Sequence, residues 1–332
     1  MKELKPRRRR KPFSFFDIDQ CSLYKLSSPA KLNQLLLRTA GEVEALLSAS
    51  DNYKEFTLEE TVDPFSGKKK KARAVQTPKH DLKMVHERLL KLLQRINPPP
   101  YAHAGIKRKS YRSNALVHES SNVIATFDLK SFYDSTRASL VHDFFFTDLK
   151  CAGDVASILT RLTTHKGCIP TGSPLSPLLA LQAAKPMFNE LNELALKNDL
   201  KFTCYVDDLT FSGEMIPKSL KREVLGIVKR FGYKLSEHKT RIYKSHHKKL
   251  VTGTIIYERK ISVPHSRFVA ARRIQKALDG EGENYGYSEK ELLAKLSGLY
   301  NEASTLDQRF SSMAARANKN YQEADKDSDE GS

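Results

Sequence analysis

Residues 202–211 read Phe-Thr-Cys-Tyr-Val-Asp-Asp-Leu-Thr-Phe, and this stretch decides how the rest of the chain is understood. Aromatic, β-branched and other apolar residues flank two adjacent acids on both sides, the composition of short strands. The expectation is two strands around a two-residue acidic turn, with Asp207 and Asp208 held at a hairpin tip. Neighbouring carboxylates repel each other and need a counter-charge. A hard divalent cation, which prefers oxygen ligands, supplies one. Taken alone, such a pair is more often a plain turn with solvated carboxylates, so its meaning depends on the sequence around it.

The nearest support lies upstream. Residues 123–128, Val-Ile-Ala-Thr-Phe-Asp, read as a buried strand that ends on a third acid, Asp128. Strand-borne carboxylates brought side by side would hold two cations about 3.5–4 Å apart, the geometry of in-line phosphoryl transfer. Further out, residues 28–48 place leucines and a valine at helical spacing behind Ser28-Pro29 and predict one helix. Residues 56–75 predict two strands around the turn Asp63-Pro64-Phe65-Ser66-Gly67, the second opening on four lysines and carrying Arg73. Helices are predicted over 82–96, 137–150, 154–165, 174–198 and 218–231, strands near 240–243 and 249–257, and helix again from 265 to 318. That order predicts an α+β domain with an all-helical C-terminal end.

The 332 residues include 56 Lys and Arg against 39 Asp and Glu, a formal charge of +17, and 39% are hydrophobic. This is globular composition, which excludes wholesale disorder. The length allows one large domain or two to three packed subdomains. The charge favours a polyanionic partner without separating nucleic acid from an anionic membrane surface. No apolar run is long enough to span a bilayer, and the basic N-terminus leads into no secretory core, so a cytoplasmic protein with no membrane partner is expected. Cys21, Cys151, Cys168 and Cys204 form no C-x-x-C pair, which fits a reducing compartment and gives no zinc site. Residues 5–11 (KPRRRRK) form a basic arm, and the acidic residues from 323 onward are expected to be disordered. The glycine-rich residues 280–286 lack the strand that precedes a dinucleotide loop, and His246-His247 lacks metal-spaced partners.

Seven ordered blocks between about residues 71 and 256 resemble the reverse transcriptases, and within them the bacterial retron type. Arg73-Ala74-Val75-Gln76-Thr77-Pro78 resembles the first block. Ala104-Gly105-Ile106 through Asn114-Ala115-Leu116-Val117-His118 resembles the second, with the N-A-x-x-H of retron enzymes. Phe127-Asp128-Leu129-Lys130-Ser131-Phe132-Tyr133 resembles the block of the first catalytic aspartate, and residues 169–177 (IPTGSPLSP) the loop facing template and nucleotide. Tyr205-Val206-Asp207-Asp208 matches the Y-x-D-D box, Lys239-Thr240 the block after it, and Val251-Thr252-Gly253 the V-T-G of retron enzymes. Thr171, Val206 and Ser236 depart from the commoner Gln, Ala and Asn, and none of these is a metal ligand.

The resemblance implies a right-hand polymerase of fingers, palm and thumb, with a ferredoxin-like palm sheet and a helical C-terminal thumb. The implied division is a basic arm over 1–27, fingers over 28–122, palm over 123–258 with a fingers insertion around 137–170, thumb over 259–320 and an acidic tail over 321–332. It implies two Mg²⁺ ions held by Asp128, Asp207 and Asp208, with the backbone carbonyl of Leu129 completing one coordination sphere. Arg73, Tyr133, Thr171, Gly172 and Lys239 are the implied dNTP contacts, Tyr133 as a steric gate against the ribose 2′ position and Lys239 near the leaving group. Template or RNA contacts fall to Lys107, Arg108, Lys109, Asn114, His118, Val251, Thr252, Gly253, Arg272 and Arg273. For Asn114 and His118 a role in holding the local fold is the other reading.

The implied function is synthesis of DNA on an adjacent structured noncoding RNA that serves as template and 2′-hydroxyl primer, giving a branched RNA–DNA hybrid used in anti-phage defence. Partners would be that RNA, its DNA product, dNTPs and an effector protein, and the chain length points to a stand-alone polymerase. Two alternatives remain at this point. One is a reverse transcriptase of the group II intron, diversity-generating or abortive-infection type. The other is a non-catalytic RNA-binding scaffold on a polymerase fold.

Overall fold

The computed structural model describes residues 13–330, so the basic cluster at 5–11 lies outside the described residues. In chain order the elements begin with helices α1 (Pro29–Leu36) and α2 (Ala40–Ser48), then strands β1 (Tyr53–Leu58), β2 (Thr61–Val62), β3 (Lys69–Lys70) and β4 (Arg73–Pro78). Next come α3 (His80–Leu93), α4 (Tyr111–Val117), β5 (Val123–Asp128), α5 (Phe132–Ser135), α6 (Ala138–Asp143), α7 (Gly153–Thr163), α8 (Ser176–Ala183) and α9 (Lys185–Lys197). The hairpin β6 (Lys201–Tyr205) and β7 (Asp208–Gly213) leads to α10 (Leu220–Arg230) and β8 (Arg241–Tyr243). The chain closes with β9 (Lys249–Val251), β10 (Thr254–Tyr257), β11 (Lys260–Ser262), α11 (His265–Leu278), α12 (Glu289–Leu306) and α13 (Ser311–Glu330).

These elements fall into two compact units. The first is built from the chain up to Lys54, Gln76–Pro99 and Thr136–Ala183. Its core buries Leu32 of α1, Leu89 and Leu93 of α3, and Val155 and Leu159 of α7 completely. Each such side chain contributes about 1.5–3 kcal/mol of burial free energy. The single helix predicted over 28–48 is two helices. Leu37 takes a left-handed φ of 59° at the end of α1, and Thr39 with Glu42 forms a capping box that starts α2. The apolar spacing runs through the break, but Thr-x-x-Glu is itself a start signal. The helix predicted over 174–198 also divides, because Pro186 lacks the N–H that a continuous helix needs and serves instead in the first turn of α9.

The second unit comprises Glu55–Val75, Pro100–Ser135 and the chain from Ala184 onward. Its centre is a four-stranded sheet in the order β6-β7-β5-β8, with every neighbouring pair antiparallel. One face carries Phe127, Phe202, Phe211 and Leu209, and Phe202 also stacks toward Tyr101. The opposite face carries Ile124, which packs with Ala115, Val251 and Ile256, and a row of polar residues. Strand alternation therefore assigns Thr126 and Asp128 to the second face, beside Thr210 and Asp208.

The C-terminal helices α11, α12 and α13 pack around Ala270, Ala271, Ile274, Leu292, Leu296 and Ala317. Helix α13 runs to Glu330, which corrects the disorder expected from residue 323. Lys319–Glu323 and Lys290–Asp325 ion pairs give the acidic stretch helical and inter-helix partners. The 55–75 hairpin belongs to the same unit as the sheet.

Candidate active site

The geometry of the carboxylate cluster starts from strand register. Asp128, the last residue of β5, is paired with Asp208, the first of β7, and Asp208 is paired in turn with Tyr205 of β6. The turn between β6 and β7 is Val206-Asp207, so Asp208 belongs to a strand and not to the turn. Val206 has φ 58°, a conformation that a β-branched residue rarely adopts and that the two flanking strands impose. The amide of Leu129 donates to the Asp207 carbonyl at 2.9 Å, fastening the turn to the end of β5. Three carboxylates from two sheet-borne sources therefore meet at one end of the sheet.

Their electrostatics follow from this crowding. Burial, then Asp207 and Asp128, push the Asp208 carboxyl up to about 7. Burial is also the largest cause that raises Asp207, with Asp128 adding to it. Lys239 is the cation present: its Nζ donates to Asp128 Oδ2 at 2.6 Å, and this pairing raises its own pKa. Asp128, Asp208 and Lys239 line a groove of about 360 Å³ together with Thr126, Tyr205 and Arg241.

The donor chemistry suits divalent cations. Three hard oxygen donors carry more negative charge than one ammonium offsets, and burial together with their mutual repulsion raises the pKa of Asp207 and Asp208. Among the described residues no three acidic, histidine or cysteine side chains are arranged as a ready ligand set, and Asp128 is paired with Lys239. Cation binding at these carboxylates would thus exchange the Lys239 contact. Leu129 is buried.

The expected nucleotide contacts divide between the units. Tyr133 lies near Asp207, whose charge, after burial, helps push the phenol up to about 12. Arg73 is exposed at the start of β4 in this same unit. Thr171 and Gly172 belong to the first unit, where they are braced by Gln76. Thr171 donates to Gln76 Oε1 from both its amide and its hydroxyl, at 3.2 and 3.0 Å, and the Gly172 amide donates to the Gln76 carbonyl at 3.0 Å. Ser173 Oγ contacts buried His86 Nδ1 at 2.6 Å, and His86 Nε2 donates to the Leu162 carbonyl. Gln76 carries no chemistry that singles it out in the sequence. Its signal is only its position two residues before the proline that ends β4.

Of the expected RNA contacts, Lys107 and Arg108 are exposed. Lys109 directs its ammonium at the carbonyls of Pro100 and Ala102, at 2.9 and 2.7 Å. Asn114 and His118 are fully buried, the placement that a role in holding the local fold calls for. His118 bonds Ser212 and Thr203 on β7 and β6 at 2.6 and 2.7 Å, and burial lowers its pKa to about 3. It serves the polar row of the sheet, where unpaired hydroxyls would be costly. Asn114 donates to Thr252 at 3.4 Å. Val251 is buried, and Thr252-Gly253 forms the β9–β10 turn with positive φ at both residues. Arg272 is exposed, and Arg273 bonds the Phe65 carbonyl. His246 and His247 are exposed in the loop before β9.

Comparison with known proteins bears on this arrangement. A family model described as reverse transcriptase (RNA-dependent DNA polymerase) matches residues 65–256, more than half of the chain. The chain is 26% identical over 254 residues to the retron Ec86 reverse transcriptase of Escherichia coli, a match covering 76% of each. It is 28% identical over 208 residues to the retron Se72 reverse transcriptase of Salmonella heidelberg, covering 60% of this chain and 52% of that protein. With the retron Mx65 reverse transcriptase of Myxococcus xanthus it shares 27% over 205 residues, 55% of this chain and 48% of the relative. The match thus spans three quarters of the first relative and about half of the other two.

Proposed function

The chain belongs to the reverse transcriptase (RNA-dependent DNA polymerase) family, and on that premise we propose that it is the polymerase of a retron, copying a structured noncoding RNA into DNA from a 2′-hydroxyl of that RNA. The observation that carries the proposal is the cross-strand row Tyr205–Asp208–Asp128 with Asp207 at the adjoining turn. The strand order β6-β7-β5-β8, with helices connecting β5 to β6 and β7 to β8, supports a ferredoxin-like palm. The helices from α11 onward are the thumb of this reading, and β1 to β4 the fingers hairpin.

Asp128 and Asp207 would hold two Mg²⁺ ions, with Asp208 peripheral and the Leu129 carbonyl a further ligand. Bound there, the ions make the attacking hydroxyl a better nucleophile and offset charge on the phosphate oxygens. The chain's own groups do the remaining work. Tyr133 presents its ring to the sugar and excludes a 2′-hydroxyl on the incoming nucleotide. Lys239, released from Asp128, places an ammonium near the departing pyrophosphate, where it stabilises charge or gives up a proton. Arg73 supplies a forked donor for phosphate, and the Thr171-Gly172 loop offers close backbone approach. The product is a branched RNA–DNA hybrid, and its use in anti-phage defence with an effector protein belongs to the same proposal.

The test is primer extension. Purified protein with Mg²⁺, dNTPs and an RNA template bearing a DNA primer is expected to extend the primer, and Asp207→Asn/Asp208→Asn to bind the RNA without extending. Extension that survives the double change would refute the site. Binding without extension by wild type would favour an RNA scaffold on a polymerase fold.

A further inference from the structure

Thr252 and Gly253 form a two-residue turn between β9 and β10, closed by the pairing of Val251 with Thr254. Both residues take a left-handed φ, 44° and 79°. Turns of this kind favour Asn or Asp before Gly, because a β-branched residue is strained there. A threonine at the first position needs a compensating tie, and its hydroxyl makes two. Thr252 Oγ1 donates to the Tyr111 carbonyl at 3.2 Å and accepts from Asn114 Nδ2 at 3.4 Å. Both partners belong to α4, 141 and 138 residues earlier in the chain.

The same helix holds a second hairpin. At its C-terminal end, His118 bonds Thr203 of β6 and Ser212 of β7. Those strands carry the Val206-Asp207 turn, where Val206 is also β-branched, with φ 58°. Thr252 and Gly253 line the groove together with Tyr205, Asp208 and Asp128. Asn114 and His118 are fully buried and do not line it themselves. Two hairpins, each with a strained turn, therefore border one groove, and one helix ties down both.

We propose that Asn114 is a positioning residue for the polymerase reaction: through the Thr252 hydroxyl it fixes the β9–β10 turn against the aspartate hairpin, which His118 fixes from the same helix. The inference rests on the polymerase reading. Packing alone can bury a turn, but a hydroxyl with one donor and one acceptor set on a helix also fixes its orientation. Reaction in the groove depends on how the attacking hydroxyl is aligned with the three carboxylates. A misplacement of about 1 Å costs on the order of a hundredfold in rate. Releasing the turn therefore lowers turnover, while nucleotide affinity, which rests on other elements, stays near wild type.

The experiment is single-nucleotide primer extension by the full chain on a DNA-primed RNA template with Mg²⁺, with kcat and the dNTP KM measured separately. Thr252→Val keeps the β-branch and loses both bonds; its kcat is expected to fall roughly tenfold or more, with the dNTP KM within about threefold of wild type. Thr252→Ser keeps the hydroxyl and is expected to hold kcat within about threefold of wild type. Asn114→Leu should lower kcat in the wild-type background but by less than about threefold in Thr252→Val, where the tie is already broken. Melting curves on the same samples correct each rate for the folded fraction. Should Asn114→Leu fail to fold, the Thr252 variants decide alone, since their position is half-buried in a turn. Equal kcat in the Val and Ser variants, a loss confined to KM, or an Asn114→Leu loss undiminished in Thr252→Val would overturn the positioning role. Wild-type activity separates the two readings: extension with equal Val and Ser variants refutes only the positioning role, and no extension refutes the polymerase reading beneath it.

Discussion

Replacing Lys239 by Met should expose how the carboxylate cluster is balanced. Lys239 Nζ lies 2.6 Å from Asp128 Oδ2, and the Asp128 residue is 6% exposed. A hydrogen bond to a charged group contributes about 1.5–3 kcal/mol, and leaving its buried partner unsatisfied costs a similar amount. The lysine side chain is 52% exposed, so solvent screening places the effect at the lower end, about 1.5 kcal/mol. For 332 residues, at about 2.1 cal/mol/K of unfolding entropy per residue, that corresponds to a melting shift of roughly 2 °C. The assay is thermal unfolding of wild type and Lys239→Met in EDTA and in saturating Mg²⁺. The variant should melt lower in EDTA, and most of the gap should close in Mg²⁺, because a divalent cation at the same carboxylates supplies the missing charge. In Asp128→Asn the lysine change should cost little, since the pair is already broken. An equal loss with and without Mg²⁺, or no coupling to Asp128, would refute the view that Lys239 and a cation compete for one carboxylate.

Acid should weaken the fold through its buried imidazoles. Burial lowers His86 to about 4 and His118 to about 3. Below about pH 6.5 the unfolded chain binds protons that these folded residues refuse, so stability falls as pH drops through that window, by about 1 kcal/mol per histidine per pH unit. Urea unfolding at pH 7 and pH 5 measures this, and His118→Gln should reduce the slope. Tyr133→Ala should admit ribonucleotides, lowering discrimination of dGTP over GTP on the order of tenfold in single-nucleotide insertion. Unchanged discrimination would remove Tyr133 from the sugar-facing position. Gly253→Ala should cost more than about 1 kcal/mol, because φ is +79° and the new Cβ would press on Arg267. A melting temperature equal to wild type would contradict that strain.

What the sequence revealed, and what it hid, follow the range over which residues interact. Strand β5 begins and ends where its β-branched run does, at Val123 and Asp128. The hairpin around Tyr205 to Asp208 was equally legible, because a period of two and a tight turn are local properties. The turn itself was displaced by one residue. Val206 takes the positive φ, a choice imposed by pairing with β5 that no propensity of valine announces. The break between α1 and α2 was written in Thr39 and Glu42 but masked by leucines that continue the helical spacing. His118 looked ambiguous because its partners, Thr203 and Ser212, lie 85 and 94 residues away. Phe65 read as part of a turn, and its insertion among helices some 200 residues later has no local signature. The three aspartates stood out in the sequence because the chemistry proposed for them restricts residue type, and the bracing groups such as Gln76 did not, because many residue types can brace.

The most direct test is to express the chain with its native flanking DNA, purify it, and sequence the nucleic acid that accompanies it, beside Asp207→Asn/Asp208→Asn. The account predicts a discrete short DNA joined to RNA through a 2′ branch, present with wild type and absent from the double variant. RNA alone in both samples, or DNA of diverse and unbranched sequence, would contradict it.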